Sequence, residues 1–317
     1  MKIGTTAPIG GPQASPENLT RFALEAERLG FDSLTFSDHI IIPADIHARY
    51  PYSETGEFPR ASRGERHEQL TAIAFVAAKT SRIRFLTAVM VVPHRPAVLT
   101  AKILATIDVL SGGRLSVGCG AGWLKEEFEA IGAPPFEKRG VATDEYIRAF
   151  RELWTKEAPR FDGQYVNFRD ITFAPKPVQK PHPPILVGGE SGPALRRAAR
   201  LGDGWYPIGV NPEFPLDTLS RYRARIDDLR AEIRAAGRNA ADVTLGYRCH
   251  LHGDAVQPKT VEGERRLFSG GTRDIAGDIR ALRELGVEQV DFGLLGPTIE
   301  ASLDNLRRFR DEVIAHI

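Results

Sequence analysis

The sequence contains 317 residues, with 42 lysines and arginines against 41 acidic residues, and a net charge of +1. This balance gives no basic field that would indicate a nucleic acid or an anionic membrane as partner, and no run approaches the 18 apolar residues of a membrane span. No secretory leader pattern opens the chain, and Cys119 and Cys249 both fall in apolar stretches. We therefore expect a cytoplasmic protein with a small-molecule ligand and without a disulfide or a metal.

The first elements alternate between strands and amphipathic helices. Residues 2–6 are predicted as a strand, and the helix that follows buries one face, formed by Leu19, Phe22, Ala23, Ala26 and Leu29. Gly30 ends this helix, and residues 33–37 form the second strand. The same junction of helix, glycine and strand recurs at 201–205 and 285–288, which is typical of a wound α/β fold.

A long irregular segment, residues 40–66, then interrupts the alternation with prolines and glycines. Loops of this length in a compact domain are usually functional lids or disordered segments. We assign Tyr50 of this segment to the substrate pocket. Positive charge near a ligand could come from its arginines, which are Arg49, Arg60, Arg63 and Arg66. Residues 67–79 are the second predicted helix.

Residues 83–123 form a complete β-α-β unit. An apolar strand spans 83–92, a helix begins near Pro96, and a second apolar strand spans 114–119. The buried stripe of the helix is predicted to consist of Val98, Leu99, Ile103, Ile107 and Leu110. The glycines after the second strand either let the backbone approach a ligand or only make a tight turn; they are Gly118, Gly120 and Gly122.

Trp123 ends this glycine turn and either lines a pocket or covers a rim. Glu126 and Glu127 come next and open a helix. Carboxylates at that position favour the helix dipole, so we assign both a structural role.

The rest of the chain completes the alternation. Further strands are predicted at 185–187, 205–208, 243–251 and 289–294, and irregular segments at 161–184 and 253–271. Helices are predicted at 125–131, 143–154, 194–201 and 299–314, with further apolar helical stripes at 216–233 and 275–285. Eight strands alternating with helices predict a (β/α)8 TIM barrel as one domain over 1–317, with insertions after strands 2, 4 and 7. A doubly wound open sheet is the alternative.

Candidate site residues follow the predicted strands, where a barrel places its ligand. Asp38 and His39 end the second strand, and the imidazole could move a proton near neutral pH. The segment 188–192 precedes a helix, so its free N–H groups and the Ser191 hydroxyl favour phosphate. Three further histidines, His94, His250 and His252, show no metal-ligand spacing; we place His250 in the substrate pocket.

Several strings in consistent order make the chain similar to the bacterial luciferase-like superfamily of flavin and deazaflavin oxidoreductases, particularly its coenzyme F420-dependent branch. These strings are residues 27–34 with Ser37-Asp38-His39, then 93–96, 105–114, 118–123, 175–179, 184–189 and 202–205. The resemblance implies a (β/α)8 barrel with a non-prolyl cis peptide between Ala88 and Val89, which would form a bulge behind the cofactor ring. The cofactor-binding residues it implies are Asp38, Thr87, Ala88, Val89, Gly120, Gly122, Gly188, Gly189, Glu190, Ser191 and Gly192.

The resemblance implies an oxidoreductase that moves a hydride between C5 of coenzyme F420 and a small organic substrate. His39 would give or take the proton, and Asp38 would orient His39 or the cofactor. Trp123, Tyr50 and His250 would line the substrate pocket. FMN-dependent monooxygenases share this framework, and a flavin-binding barrel without turnover is a third interpretation. We also expect a homodimer, whereas the substrate and the direction of transfer cannot be read from the sequence.

Overall fold

Eight parallel strands close into a barrel in the computed structural model, which describes residues 1–59 and 64–317. The strand elements of the described residues are β1 (Lys2–Thr6), β2 (Ser33–Phe36), β3 (Arg84–Thr87), β4 (Met90–Val91), β5 (Leu115–Gly120), β6 (Phe161–Asp162), β7 (Asn167–Phe168), β8 (Ile185–Gly188), β9 (Gly204–Tyr206), β10 (Thr244–Cys249) and β11 (Val287–Phe292). The eight barrel strands follow the order β3-β2-β1-β11-β10-β9-β8-β5, and pairing of β3 with β5 closes the ring. The predicted (β/α)8 barrel is therefore confirmed, and the alternative, a doubly wound open sheet, is not what the chain forms.

Three of the strand elements lie outside this simple ring. Strand β4 continues β3 after a two-residue break and pairs with β5. Strands β6 and β7 form an antiparallel hairpin within the insertion after the fourth barrel strand. The other two insertions are the long segments after β2 and β10, as predicted from their proline and glycine content.

Helices surround the barrel and follow the predicted alternation. Those of the described residues are α1 (Pro16–Arg28), α2 (Gln69–Ala77), α3 (Ala97–Leu110), α4 (Lys125–Ala130), α5 (Arg139–Thr155), α6 (Gly192–Leu201), α7 (Leu219–Ala235), α8 (Thr272–Glu284) and α9 (Ile299–Glu312). Helix α1 begins with Ser15, whose side chain accepts a bond from the Asn18 N–H, and buries the predicted face. Gly30 follows it with φ +83°, a conformation that favours glycine.

The predicted buried stripe of α3 is largely wrong. Val98, Leu99 and Leu110 are 39%, 54% and 72% exposed, whereas Ile107 is buried as predicted, and the rest of the inward face carries Leu104 with small and polar residues. Asp108 is buried there because the N–H and the side-chain amide of Gln179 donate to its carboxylate at 3.1 and 2.6 Å. The helix is apolar on most sides, so periodicity alone did not define which face packs inward.

Candidate functional site

The candidate residues meet at the rim formed by the carboxyl ends of the parallel strands. Asp38 and His39 follow β2, the Ala88–Val89 break lies between β3 and β4, and Trp123 follows β5. Strand β8 leads into the glycine loop 188–192. A (β/α)8 barrel places its ligand at this end because every βα loop reaches the same rim.

Asp38 is a buried residue that stabilises the rim through hydrogen bonds. Its side chain is fully buried, and its carboxylate accepts hydrogen bonds from both Arg95 terminal nitrogens, at 2.9 and 2.8 Å. The Val91 N–H donates to it at 2.9 Å, which ties the end of β2 to β4. Arg95 also pairs with Glu68. Both Asp38 oxygens therefore serve the framework, and the expected role of orienting His39 belongs to another side chain.

That side chain is Glu127 of α4. His39 Nδ1 lies 2.7 Å from Glu127 Oε2, and the backbone N–H groups of Ile40 and Ile41 donate to Oε1 at 2.7 and 3.2 Å. The Glu127 side chain is fully buried, whereas the His39 side chain keeps 12% of its surface exposed. A carboxylate acceptor at Nδ1 fixes the orientation of the ring and leaves Nε2 as the nitrogen available for proton transfer.

His94 lies on the other side of the same carboxylate. Its Nδ1 is 3.8 Å from Glu127 Oε1, its side chain is 1% exposed, and burial lowers its pKa. Neither ring nitrogen has a hydrogen-bond partner within the described residues, and the ring packs edge-to-face on Phe128 at 4.7 Å. From the sequence alone we expect His94 to be an ordinary hydrogen-bonded histidine, and this expectation is wrong within the described residues, where the ring packs on Phe128 without a hydrogen bond.

The bulge between β3 and β4 explains the glycines around it. The Ala88–Val89 peptide bond is cis, as predicted. A Cβ on Gly120 would come within 2.6 Å of Val89 Cγ2, and one on Gly188 within 2.8 Å of Val89 Cγ1. Gly120 and Gly188 thus leave room for the Val89 side chain between two neighbouring strands, so packing accounts for both positions.

The other two glycines of the β5 turn also have internal reasons. A Cβ on Gly118 would meet the Thr87 carbonyl oxygen at 2.0 Å, and one on Gly122 would meet Phe128 at 2.6 Å. The Thr87 hydroxyl donates to the Gly118 carbonyl at 2.8 Å, and the Thr87 side chain is buried. Close packing thus gives these glycines a reason within the chain, the Thr87 side chain joins two strands, and an approach of the glycine backbone to a ligand stays a prediction.

Aromatic side chains cover the rim next to His39. Trp123 lies 5.1 Å from Tyr50, 5.4 Å from Phe58 and 6.2 Å from the His39 ring, measured between ring centroids. Tyr52 lies 5.6 Å from Tyr50. We call Tyr50, Tyr52, Phe58 and Trp123 the aromatic lid. The structure thus brings two of the three predicted pocket residues, Tyr50 and Trp123, beside His39.

Glu126 of α4 holds the irregular segment 40–66, which we call the lid segment. Its carboxylate accepts bonds from the N–H groups of His47 and Ala48, at 2.7 and 3.0 Å. Arg49 turns back to its own loop and donates to the Glu54 carbonyl. Arg60 and Arg63, which were expected to add positive charge, lie outside the described residues.

His250, the third predicted pocket residue, follows β10. Desolvation, together with the charge of Arg248, lowers its pKa to about 4, so the ring is neutral at physiological pH. It lies on another strand end from the aromatic lid, and its contact with substrate stays a prediction.

The loop 188–192 has the backbone geometry of an anion site. Gly189 adopts φ +102°, and the Ser191 N–H has no partner within the described part of the chain. Ser191 is the N-cap of α6, and its hydroxyl makes no capping bond there. Arg225 Nε donates to the Glu190 carbonyl at 3.1 Å, which places a positive charge beside the loop.

The Glu190 side chain turns away from this loop. Its carboxylate accepts bonds from the Ile208 N–H and the Asn211 amide, at 2.8 and 2.9 Å, and burial raises its pKa to about 7. The carboxylate also accepts from the Glu190 N–H, and its other two bonds hold the next βα loop.

Sequence reasoning missed Glu127, although a signal was present. Leu124 and Phe128 are buried at positions i and i+4, and Glu127 at i+3 falls on the same apolar face, whereas Glu126 points to the polar side. A carboxylate on the buried face of a short amphipathic helix needs a partner, because burying an unpaired charge is costly.

The described residues contain no group of three or more His, Cys, Asp or Glu side chains that could hold a metal ion. None of their helices is long and apolar enough to cross a membrane. Cys119 and Cys249 are free and buried, and burial raises the pKa of Cys119 to about 12.

Known sequences resemble this chain over most of its length. The family model for luciferase-like monooxygenases matches residues 1–289. An uncharacterized protein of Mycobacterium tuberculosis is 32% identical over 295 residues, which cover 93% of this chain and 94% of that protein. The FMNH2-dependent dimethylsulfone monooxygenase of Pseudomonas putida is 39% identical over 173 residues, 54% of this chain and 46% of that enzyme.

Solved structures share the fold. An F420-dependent secondary alcohol dehydrogenase in complex with an F420-acetone adduct matches with a TM-score of 0.75 and 17% identity, over 100% of this chain and 99% of that chain. The monooxygenase RslO1 from Streptomyces bottropensis matches with a TM-score of 0.74 and 22% identity over the same shares. With the closed barrel and a family match over residues 1–289, the chain belongs to the luciferase-like monooxygenase family.

Proposed function

We propose that the protein is an F420-dependent oxidoreductase that moves a hydride between C5 of the deazaflavin and a carbon of a small organic substrate. The observation that carries the proposal is the His39–Glu127 contact of 2.7 Å at the barrel rim. It gives an oriented imidazole with a free Nε2 beside the aromatic lid, which is what proton transfer to or from a substrate requires.

The residues present fit a cofactor with a ring and a phosphate. The N–H and the hydroxyl of Ser191, with the nearby Arg225, would hold the phosphate. Val89, wedged between Gly120 and Gly188, would form the wall behind the ring. When bound, the deazaflavin supplies the hydride chemistry.

The chain itself would hold the imidazole in place, keep water out of the rim and give or take a proton. The aromatic lid would exclude water from the rim, and Glu126 would hold the lid backbone at His47 and Ala48. His39 would give or take the substrate proton at Nε2 while Nδ1 stays on Glu127.

The second candidate is an FMN-dependent monooxygenase. The relative that is 39% identical over 173 residues is an FMNH2-dependent enzyme, which favours this alternative. Because both cofactors carry a phosphate, the loop 188–192 does not discriminate between them. A flavin-binding barrel without turnover is less favoured, since it would not need the oriented imidazole.

Titration of the apoprotein with F420 and with FMN at matched ionic strength tests the cofactor. We expect F420 to bind at least tenfold more tightly, a difference of about 1.4 kcal/mol. Equal or tighter FMN binding, with oxygen consumption after reduction, would assign the monooxygenase function instead. If the protein loaded with cofactor reduced no acceptor, the interpretation that remains would be a flavin-binding barrel without turnover.

His39→Ala tests the proton role. With saturating cofactor we expect kcat to fall by roughly 10² or more, while the cofactor Kd changes only a few-fold. The exposed His316 provides the matched control, His316→Ala, whose kcat should equal that of the unmodified protein.

The expected homodimer is also part of this proposal. The apolar side chains of Val98, Leu99 and Leu110, which α3 leaves exposed, support it. Sedimentation velocity over a range of concentrations measures the mass directly, and a constant monomer mass would contradict it.

A further inference from the structure

Two arginine side chains at the barrel rim have only hydroxyl groups as side-chain partners. Arg248 of β10 donates from Nη1 to Thr35 Oγ1 at 3.0 Å and from Nη2 to Thr6 Oγ1 at 3.2 Å. Arg66, at the end of the lid segment, donates from Nη1 to Ser37 Oγ, and its Nε is buried without a partner. In the described chain, no carboxylate oxygen lies within 4.0 Å of either guanidinium.

The nearby carboxylates are already engaged. Asp291 accepts bonds from Tyr206, Ser33 and Gln289, at 2.7, 3.0 and 2.8 Å, and burial raises its pKa. Asp38 is paired with Arg95, and Glu127 holds His39, so neither is bonded to Arg66. By contrast, Arg95 contacts two carboxylates. Arg66 and Arg248 thus keep their charge, because guanidinium does not deprotonate in proteins, without an ion-pair partner.

Both charges act on the same lid residue. Desolvation raises the pKa of Tyr50, and the guanidinium charges of Arg248 and Arg66 oppose that shift. Arg248 acts on Tyr52 in the same way. The hydroxyl partners also place the arginines near the lid: Ser37, which Arg66 contacts, lies two residues before His39, and the His39 ring contacts Phe58 and Trp123.

We propose that Arg66 and Arg248 form a substrate anion site beneath the aromatic lid. The ligand class is a small organic oxyanion, such as a carboxylate, whose apolar body contacts Tyr50 and Trp123. A guanidinium fork binds such a group through paired charge-assisted hydrogen bonds, which are stronger than the bonds to threonine and serine hydroxyls that it makes now. The assignment rests on the proposed function only in taking this rim as the substrate site.

The position of this site separates it from the expected cofactor phosphate. Its hydroxyl partners and Arg248 belong to the ends of β1, β2 and β10, whereas the loop 188–192 follows β8. On the ring, β9 lies between β8 and β10. The barrel thus offers two anion-binding regions on different strands.

The test compares benzoate with benzamide, which have the same ring and differ in charge. Calorimetric titrations use the protein loaded with whichever flavin it binds and, in parallel, the apoprotein. We expect benzoate to bind at least tenfold more tightly than benzamide in both forms. Arg248→Gln and Arg66→Gln should each weaken benzoate binding at least tenfold and leave benzamide unchanged. The matched control is Arg223→Gln, which removes an exposed arginine on α7 and should change neither.

Two outcomes would overturn the proposal. One is equal binding of benzoate and benzamide by the unmodified protein. The other is a loss of flavin affinity in Arg248→Gln with unchanged benzoate binding, which would assign the arginines to the cofactor ring. Arg248→Lys keeps the charge and should retain part of the benzoate affinity, so it carries the test if Arg248→Gln does not fold. Because no arm measures turnover, failure of the hydride-transfer proposal would leave these results interpretable.

Discussion

Replacing Glu127 by glutamine should invert the tautomer of His39. The Glu127 carboxylate accepts from Ile40 and Ile41 at Oε1 and from His39 at Oε2, at 2.7, 3.2 and 2.7 Å. In Glu127→Gln the carbonyl oxygen can still accept the two backbone N–H groups. The amide nitrogen, a donor, then faces Nδ1 of His39, which must become the acceptor. The proton therefore moves to Nε2, the nitrogen proposed to serve the substrate.

The size of the effect follows from the bonds exchanged. A hydrogen bond to a charged group contributes about 1.5–3 kcal/mol and a neutral one about 1 kcal/mol, so each of the three bonds loses about 0.5–2 kcal/mol and the variant should lose roughly 1.5–6 kcal/mol of folding stability. Turnover should fall by roughly 10², because an imidazole that carries its proton on Nε2 cannot accept one there, and without the carboxylate the protonated ring that would donate one loses its charged partner. KM should change only a few-fold, since Glu127 is fully buried.

Nitrogen-15 NMR of the histidine rings reads the tautomer without any substrate, and steady-state kinetics with an acceptor that supports turnover gives kcat. Glu126→Gln is the matched control: it also removes a charged acceptor from lid N–H groups, those of His47 and Ala48, but it leaves the imidazole alone. If Glu127→Gln kept the Nδ1–H tautomer and the unmodified kcat, or if Glu126→Gln lowered kcat equally, the reasoning would be refuted.

Three further predictions concern stability. Gly120→Ala should destabilise the fold by about 1–3 kcal/mol, because the new Cβ would lie 2.6 Å from Val89 Cγ2. In a double-mutant cycle followed by denaturation, Val89→Ala should recover much of this loss, and additive effects of the two changes would contradict the contact. Asp38→Asn should cost about 3 kcal/mol in urea unfolding, because Arg95 and the Val91 N–H lose a buried carboxylate, and an unchanged midpoint would refute that role. Burial raises the Glu190 pKa from 4.5 to about 7, so the folded state holds that proton more tightly than the unfolded state; stability should fall by about 3 kcal/mol as pH rises from about 4.5 to about 7, and Glu190→Gln should lack this component in denaturation curves.

Amphipathic periodicity carried most of the fold prediction. The stripes of α1 and α8 are clear in the sequence, since Leu19 and Phe22 on one helix and Ile275 and Ile279 on the other are buried. The eight-strand count followed from the repeated helix-to-strand junctions, which local sequence encodes well. These features depend on neighbours within one or two turns, so the sequence alone was sufficient.

Helix α3 shows where this reasoning stops. Its inward face was decided by a partner 71 residues away, because Gln179 satisfies the buried Asp108. Likewise, the glycines after β5 owe their identity to Val89 and Thr87 on neighbouring strands. No local pattern contains these contacts, since they arise only after the barrel has closed.

The candidate site depends on such long-range contacts even more strongly than the fold does. The motif Asp38-His39 located the rim correctly, but it suggested that adjacent residues act as a pair, whereas Asp38 binds Arg95 and His39 binds Glu127, 88 residues further along the chain. Glu127 also accepts hydrogen bonds from the N–H groups of Ile40 and Ile41. Its neighbour Glu126 accepts bonds from those of His47 and Ala48. Lid position and imidazole orientation are thus fixed by one short helix, α4. If the lid moved at residues 40–41, the Glu127 carboxylate that also holds the His39 ring would lose two hydrogen bonds. The bound position of the lid and the orientation of the imidazole therefore occur together.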